Sequence, residues 1–149
     1  MDVADLIQLG APQPRLPEWL RKSRTDFESV HNLKTDLRRL NLHTVCESAR
    51  CPNLHECFSR GAATFMILGN LCTRGCRFCS VPKSAHPGAL DPAEPANVAR
   101  MAAAMKLRYV VITSVNRDDL ADGGSRHFSE TVREVKRALP NTRVEVLTP

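Results

Sequence analysis

The 149-residue chain has few aromatic side chains and no long apolar run. Aromatic residues make up 5% of it, with one Trp and one Tyr, so no row of rings is available on which nucleic-acid bases would stack. No uninterrupted apolar segment approaches the roughly 18–20 residues that a membrane helix needs. The first residues are acidic and lack the basic segment that opens a secretory signal. These absences point away from nucleic-acid and membrane partners and away from secretion.

What the chain does contain is typical of a folded domain. It is 42% hydrophobic, and its length suits one domain of roughly 100–150 residues. Lys and Arg outnumber Asp and Glu by 21 to 16, which gives a formal charge of +5. That balance fits an ordinary solvated surface, and it also fits an acidic protein partner.

Hydrophobic patterning predicts an α/β fold in the larger part of the chain. Apolar runs at residues 64–68 and 109–113 indicate two buried strands, and residues 143–147 indicate a third strand. In the segments between these strands, apolar residues recur at helical spacing. These segments are residues 96–105 and a second one that ends at Pro140. Strands that alternate with helices predict βαβ units, a parallel sheet and an open edge at the last strand. We therefore expect the chain to be the front part of a longer protein.

The residues before the first strand follow a different pattern. Three prolines in the first 17 residues predict an extended arm, with a helical turn at residues 18–21. Thr25 and Glu28 form a capping-box pattern at the start of an amphipathic helix over residues 26–40. Residues 43–61 are rich in cysteine and read as irregular.

This change of pattern predicts two parts. Residues 1–62 form an N-terminal extension that carries one cysteine motif, and residues 63–149 form the first part of the βα domain.

The six cysteines form two groups of three. In a chain without a secretion signal they point to metal or redox chemistry rather than disulfides. A structural zinc site usually has four protein ligands, whereas three thiolates on a 4Fe-4S cube leave one iron open for a substrate or cofactor. Zinc binding, redox sensing and plain burial remain alternatives. The groups are Cys46, Cys51 and Cys57, spaced Cys-x4-Cys-x5-Cys, and Cys72, Cys76 and Cys79, spaced Cys-x3-Cys-x2-Cys.

The second group directly follows the first strand of the βα domain, at the end where α/β barrels place active sites. Gly69 and Gly75 permit tight turns that would let its thiolates converge, and Arg74 and Arg77 would either offset cluster charge or be solvated. A loop with three aspartates follows the second strand and contains either cofactor contacts or a helix N-cap. Those aspartates are Asp118, Asp119 and Asp122.

The Cys-x3-Cys-x2-Cys spacing, with Phe78 before its last cysteine, resembles the radical S-adenosylmethionine (SAM) superfamily. Within that superfamily, a resemblance to the lipoyl synthase family runs from residue 17 to the last residue. The segments that carry it are PEWLRK, LHTVCESARCPNLHECFSRGAATFMILGNLCTRGCRFC, YVVITSVNRDDLADGG and VEVLTP.

This resemblance implies a partial (βα) barrel of the radical SAM type, with the first three strands present. It also implies a sulfurtransferase that inserts sulfur at carbons six and eight of a protein-bound octanoyl-lysine. One 4Fe-4S cluster, on Cys72, Cys76 and Cys79, would bind SAM and generate a radical from it. An auxiliary 4Fe-4S cluster, on Cys46, Cys51 and Cys57, would donate the sulfur. Phe78, Thr113 and Ser114 are candidate SAM contacts, although Phe78 would serve equally as a core residue.

The partners implied are octanoylated lipoyl carrier domains, namely 2-oxoacid dehydrogenase acyltransferase subunits and the glycine cleavage H protein. An electron donor such as ferredoxin or flavodoxin and an iron–sulfur carrier are also implied. With no targeting signal in view, we expect a cytoplasmic location.

The chain departs from the family in two places. Asn116 stands where the family commonly has Asp, and the Arg-Ser-Ser-Tyr motif that supplies a fourth auxiliary ligand does not occur. Family members are about twice as long, so we expect this chain alone not to turn over. The alternatives are another radical SAM enzyme with an auxiliary cluster, such as one that thiolates transfer RNA, an iron–sulfur electron-transfer or carrier module, and a zinc-binding interaction domain.

Overall fold

The structure, a computed structural model, describes residues 17, 20, 27–60 and 62–149. The predicted N-terminal arm and its helical turn at residues 18–21 lie outside the described residues, as does the capping threonine. The elements are α1 (Phe27–Arg39), β1 (His43–Thr44), α2 (Val45–Ser48), α3 (Leu54–Ser59), β2 (Thr64–Ile67), α4 (Glu94–Ala104), β3 (Tyr109–Ser114), α5 (Ser125–Ala138) and β4 (Arg143–Leu147).

The central sheet has the strand order β1-β2-β3-β4. Strands β2, β3 and β4 are parallel, with Thr64 opposite Val111 and Tyr109 opposite Arg143. Helices α4 and α5 provide the crossovers between them. The α/β fold class is therefore confirmed, and the bounds of the last strand are those the sequence predicts.

The segment expected to be irregular, residues 43–61, contains regular structure, so that prediction was wrong. Strand β1 pairs antiparallel with β2, placing His43 opposite Met66, and helices α2 and α3 follow it. Thr44 caps α2 by accepting a hydrogen bond from the Glu47 amide at 3.2 Å. These elements have two to six residues and are too short to produce a periodic pattern. Counting only the described residues, the sheet has four strands rather than three.

The two faces of the sheet differ. Side chains alternate along a strand, so Phe65 and Ile67 of β2 lie on the same face as Val110 and Ile112 of β3. These four are fully buried and form one core cluster with the apolar sides of α4 and α5. The opposite face, called the inner face below, carries Thr64, Met66, Tyr109, Val111 and Thr113.

The helices agree with the predicted spacing. In α1, Val30 and Leu37 are buried, and α4 buries Val98, Met101 and Ala102. Helix α4 begins two residues earlier than predicted, at Glu94, with a proline in its first turn. In the described part of the chain, no helix combines the length and the apolar character required to cross a membrane.

Candidate functional site

The loop of Cys72, Cys76 and Cys79 leaves the carboxyl end of β2, as predicted. The chain turns there through Leu68 and Gly69, which have positive φ angles of 69° and 92°. Backbone amides approach the Cys72 sulfur, from Arg74 at 3.5 Å and from Asn116 at 3.4 Å. Hydrogen bonds to ligating sulfurs are one means by which proteins tune iron–sulfur clusters. All three cysteines are free thiols, and Cys76 is exposed.

These three cysteines line one cleft of about 130 Å³ at the carboxyl ends of β2 and β3. Ser114 also lines it, and within the described residues its buried Oγ has no hydrogen-bond partner. A buried hydroxyl without a partner is costly, so a polar ligand in the cleft would be stabilised by it. The remaining lining residues are Met66, Arg74, Phe78, Val81, Val115 and Asn116.

The other two candidate SAM contacts are placed differently. Phe78 is 92% exposed at the rim of the cleft, so the alternative that it is a core residue was wrong. Thr113 donates its hydroxyl to the Leu147 carbonyl at 3.0 Å, which ties β3 to β4. The structure thus brings Ser114 and Phe78 to the cysteines and directs the Thr113 hydroxyl toward the neighbouring strand.

The aspartates after β3 are engaged in contacts within the chain. Asp118 forms a two-pronged ion pair with Arg74, at 2.7 and 3.0 Å, and accepts a hydrogen bond from the Thr73 hydroxyl. These contacts lower the pKa of Asp118 to about 2. Asp122 accepts hydrogen bonds from the Gly124 and Arg126 amides, which lower its pKa from the ordinary 3.8. Asp122 therefore bonds backbone amides at the start of α5, as the helix-cap alternative expects, whereas Asp118 joins two loops.

The first cysteine group lies beside the start of the sheet. Cys46 is on α2 and Cys57 on α3, and all three cysteines of this group are half-buried free thiols. The Cys51 amide donates a hydrogen bond to the Cys46 carbonyl at 3.0 Å, so the backbone between these two cysteines forms a turn. Cys46 and Cys57 line a second cleft, of about 320 Å³, whose other walls include Arg60, Lys106 and Arg108. Three cations at this cleft would favour a group that carries negative charge.

Both clefts border the same inner face of the sheet. Thr64 lines the cleft of Cys46 and Cys57, and Met66 lines the cleft of the second cysteine group. Residues two apart on a strand point to the same face and lie about 6.6–6.8 Å apart. Cys46 and Cys57 of the first group and all three cysteines of the second group thus line clefts that share this face of β2.

The cysteines do not converge on a point. In the part of the chain that the structure describes, no three His, Cys, Asp or Glu side chains lie close enough to hold one metal ion. A tetrahedral zinc site with Zn–S bonds of about 2.3 Å would hold its thiolates about 3.8 Å apart. A 4Fe-4S cube binds its thiolates at separate iron corners, so three spread thiols suit it better than they suit one ion.

Sequence reasoning missed a set of buried polar and charged residues next to the turn that precedes the second cysteine group. Glu94, Arg117 and His127 are each less than a tenth exposed. The Glu94 carboxylate lies 2.8 Å from His127 Nε2, and Arg117 pairs with Asp119 at 2.8 Å. The sequence carries no signal for these contacts, because the partners Glu94 and His127 are 33 residues apart and meet only in the folded chain.

Comparison with known proteins gives matches along most of the chain. A family model described as the N-terminal domain of lipoyl synthase of the radical SAM family matches residues 5–51, and one for the radical SAM superfamily matches residues 66–149. A protein of Aspergillus niger named "Lipoyl synthase, mitochondrial" is 56% identical over 139 residues, which are 90% of this chain and 33% of that protein. One of Burkholderia mallei named "Lipoyl synthase" is 58% identical over 134 residues, or 89% of this chain and 40% of that protein. The chain thus spans about a third to two-fifths of the length of these curated relatives.

Proposed function

Since the chain belongs to the radical SAM superfamily and, within it, to the lipoyl synthases, we propose that it carries the cluster-binding residues of an enzyme that inserts two sulfur atoms into a protein-bound octanoyl-lysine. The observation that carries this proposal is that Cys46 and Cys57 line one cleft, and Cys72, Cys76 and Cys79 another, along one face of β2. Sulfur insertion requires that the carbon activated at one cluster be within reach of sulfide held at the other. Two clusters on one face meet that requirement.

In this proposal Cys72, Cys76 and Cys79 hold the cluster that binds SAM. Ser114, whose buried Oγ has no partner among the described residues, and the polar Asn116 are both lining residues of this cleft and are suited to the polar methionine and ribose parts of SAM. Phe78, exposed at the rim, is available to stack on adenine. When bound, the reduced cluster and SAM supply the radical that abstracts hydrogen from an unactivated carbon, for which no acid or base of the chain would serve.

Cys46, Cys51 and Cys57 hold the auxiliary cluster in the same proposal. A cluster with thiolate ligands is negatively charged, and Arg60, Lys106 and Arg108 border its cleft. Each cleft also includes one apolar side chain of the inner face, Val111 in the first and Met66 in the second, and such side chains would favour an apolar substrate chain.

The carrier partners and the compartment are part of the proposal. Octanoylated lipoyl domains are the acyl-chain carriers, with the acyltransferase subunits and the H protein as candidates. Ferredoxin or flavodoxin would supply electrons, and an iron–sulfur carrier would rebuild the auxiliary cluster. A cytoplasmic location stays a prediction, because one relative is named as mitochondrial and another carries no compartment in its name. The division at residue 62 also stays a prediction.

Anaerobic reconstitution of the chain with iron and sulfide tests the two-cluster arrangement. We expect about eight irons per chain, and about four when either cysteine group is replaced by alanine. SAM should change the electron paramagnetic resonance (EPR) spectrum of the reduced protein when Cys46, Cys51 and Cys57 are replaced, but not when Cys72, Cys76 and Cys79 are replaced. The proposal is contradicted if the unsubstituted chain loads four irons or fewer, or if its EPR spectrum does not change when SAM is added.

The lipoyl assignment has a separate test in the coding sequence that follows Pro149. An open frame with further βα units and an Arg-Ser-Ser-Tyr motif supports it. The protein read through that frame should convert an octanoyl-lysyl peptide to the lipoyl product, detected by mass spectrometry, and should leave the unacylated peptide unchanged. A read-through protein that loads both clusters and cleaves SAM but never adds sulfur to the octanoyl peptide contradicts the assignment.

A further inference from the structure

We infer that Glu94, His127 and Arg117 form a positioning device for the loop that binds the SAM cluster. They fix the Leu68–Gly69 turn, from which the chain runs to Cys72. The inference rests on the proposed function, since it takes Cys72, Cys76 and Cys79 as the ligands of that cluster. None of these three residues lines the cysteine cleft, so each acts through the backbone rather than on a ligand.

The Glu94 carboxylate holds the amide side of the turn. It reaches from the first turn of α4 and is 3% exposed. One oxygen accepts the Leu68 amide at 2.9 Å, and the other lies 3.4 Å from the Gly69 amide. His127, on α5, bonds the first of these oxygens through Nε2 at 2.8 Å. The buried carboxylate therefore has three polar partners, two of which belong to the turn itself.

Arg117 holds the carbonyl side of the same turn. Its guanidinium donates to the Leu68 carbonyl at 3.2 Å and to the Gly88 carbonyl at 2.6 Å. Asp119 pairs with it through two bonds of 2.8 Å, which fix the plane of the guanidinium. The amide and the carbonyl of Leu68 are thus both hydrogen-bonded to buried charged side chains. One of these side chains comes from α4 and the other from the loop after β3.

The conformation held in this way is one that leucine avoids. Leu68 has a φ of 69°, in the left-handed region that is unfavourable for any residue with a Cβ. Such a conformation persists only where the surrounding contacts determine it. Here the turn follows β2 directly, and Cys72, four residues after Leu68, lines the cleft.

The burial of these groups argues for a specific role. A buried ion pair adds little net stability, because the cost of removing two charges from water offsets their attraction. Apolar residues of similar size would fill the same space at no such cost. What the charged groups add is a defined geometry for the turn, because each hydrogen bond joins one backbone group of the turn to one side-chain atom.

The test compares Glu94→Leu, which removes the acceptor, with Glu94→Gln, which keeps one acceptor oxygen and a partner for His127. Glu130→Gln is the matched control, because it alters an exposed ion pair on α5. Each protein is reconstituted anaerobically. Iron content, the EPR spectrum with and without SAM, and SAM affinity are measured, and the auxiliary cluster serves as an internal reference.

We expect Glu94→Leu to bind SAM at least tenfold more weakly and to lose most of the SAM-induced spectral change, while the auxiliary cluster loads normally. Glu94→Gln should stay within about threefold of the unsubstituted chain, and Glu130→Gln within twofold. If Glu94→Leu does not fold, His127→Leu replaces it, with the same selective loss expected at about threefold. Equal loss of both clusters, or unchanged SAM binding, overturns the inference. If SAM does not change the EPR spectrum of the unsubstituted chain, the proposed function is contradicted.

Discussion

The side chain of Leu68 lies directly against the backbone of Gly124. A Cβ added at Gly124 would come within 2.5 Å of Leu68 Cδ1 and within 2.9 Å of its Cδ2. Gly124 also has a φ of 87°, so two independent constraints select glycine at this position. The contact joins the turn before the second cysteine group to the start of α5, three residues before His127.

The Leu68–Gly124 contact predicts that Gly124→Ala destabilises the protein more than Gly123→Ala. Both substitutions place alanine at positive φ, which costs about 1–2 kcal/mol. Only position 124 adds the clash with Leu68, because a Cβ at Gly123 meets nothing within 4 Å. Overpacking of this kind adds about 1–3 kcal/mol. Urea unfolding of the apoproteins measures both, and equal losses would contradict the contact.

Ser114 and Thr113 are adjacent hydroxyls with opposite expected behaviour. The Ser114 Oγ is buried without a partner among the described atoms, so Ser114→Ala should leave the apoprotein unchanged or stabilise it by about 1 kcal/mol. Thr113→Val removes the bond to the Leu147 carbonyl and should cost about 0.5–1.5 kcal/mol. Thermal unfolding of both variants makes the comparison. A larger loss for Ser114→Ala than for Thr113→Val would refute this assignment.

In the reconstituted protein we expect Ser114→Ala to weaken SAM binding by about tenfold, which corresponds to about 1.4 kcal/mol. Ser114 is among the residues that line the cysteine cleft, and its hydroxyl has no partner among the described residues, so the substitution would remove a hydrogen-bonding group available to SAM. Titration of the SAM-induced EPR change measures the affinity. Unaltered affinity would mean that Ser114 does not contact SAM.

The ion pair of Arg74 and Asp118 predicts a local rather than a global effect. It joins the loop of the second cysteine group to the loop after β3, and both side chains are about half exposed. Arg74→Ala should leave the urea midpoint nearly unchanged, because exposed pairs add little stability. It should nevertheless speed amide hydrogen exchange in residues 73–79. In 1 M salt, which screens the ion pair, the exchange rates of the variant and the unsubstituted chain should become more similar.

Arg77→Ala is the control for the Arg74 substitution. Arg77 lies in the same loop and has no ion-pair partner among residues 27–60 and 62–149. Its removal should not alter exchange in the loop. Equal acceleration in the two variants would show that charge alone, rather than the pair with Asp118, orders this segment.

Asp122 predicts a stability difference that depends on pH. Hydrogen bonds from the Gly124 and Arg126 amides hold its pKa below the ordinary 3.8 in the folded protein. A lowered folded pKa contributes stability that is complete above about pH 3.8 and is lost as the pH falls through the folded pKa. Asp122→Ala should therefore be less stable than the unsubstituted chain at pH 7. The gap between their urea midpoints should shrink below pH 3.8, and a constant gap would contradict the assignment.

Much of the fold could be predicted because its signals are local. The run Arg143–Leu147 is a strand in the structure with the predicted bounds, and Val98, Met101 and Ala102 form the predicted buried side of α4. Such patterns arise because burial selects apolar residues at the period of the element itself. The strand at residues 64–68 was predicted one residue too long, because nothing in the apolar character of Leu68 indicates its left-handed backbone.

The sequence by itself determined the βα order, the spacing of both cysteine groups and the family resemblance, because each depends on residues close together in the chain. Only the tertiary structure decided that the clefts of the two cysteine groups share one face of β2, that β1 joins the sheet, and that Glu94 bonds Leu68 and His127. The residues paired in β1–β2 and bonded to Glu94 are 21 to 33 positions apart. A buried carboxylate becomes favourable only once folding brings its hydrogen-bond donors to it. Composition and periodicity do not indicate which distant residues supply those donors.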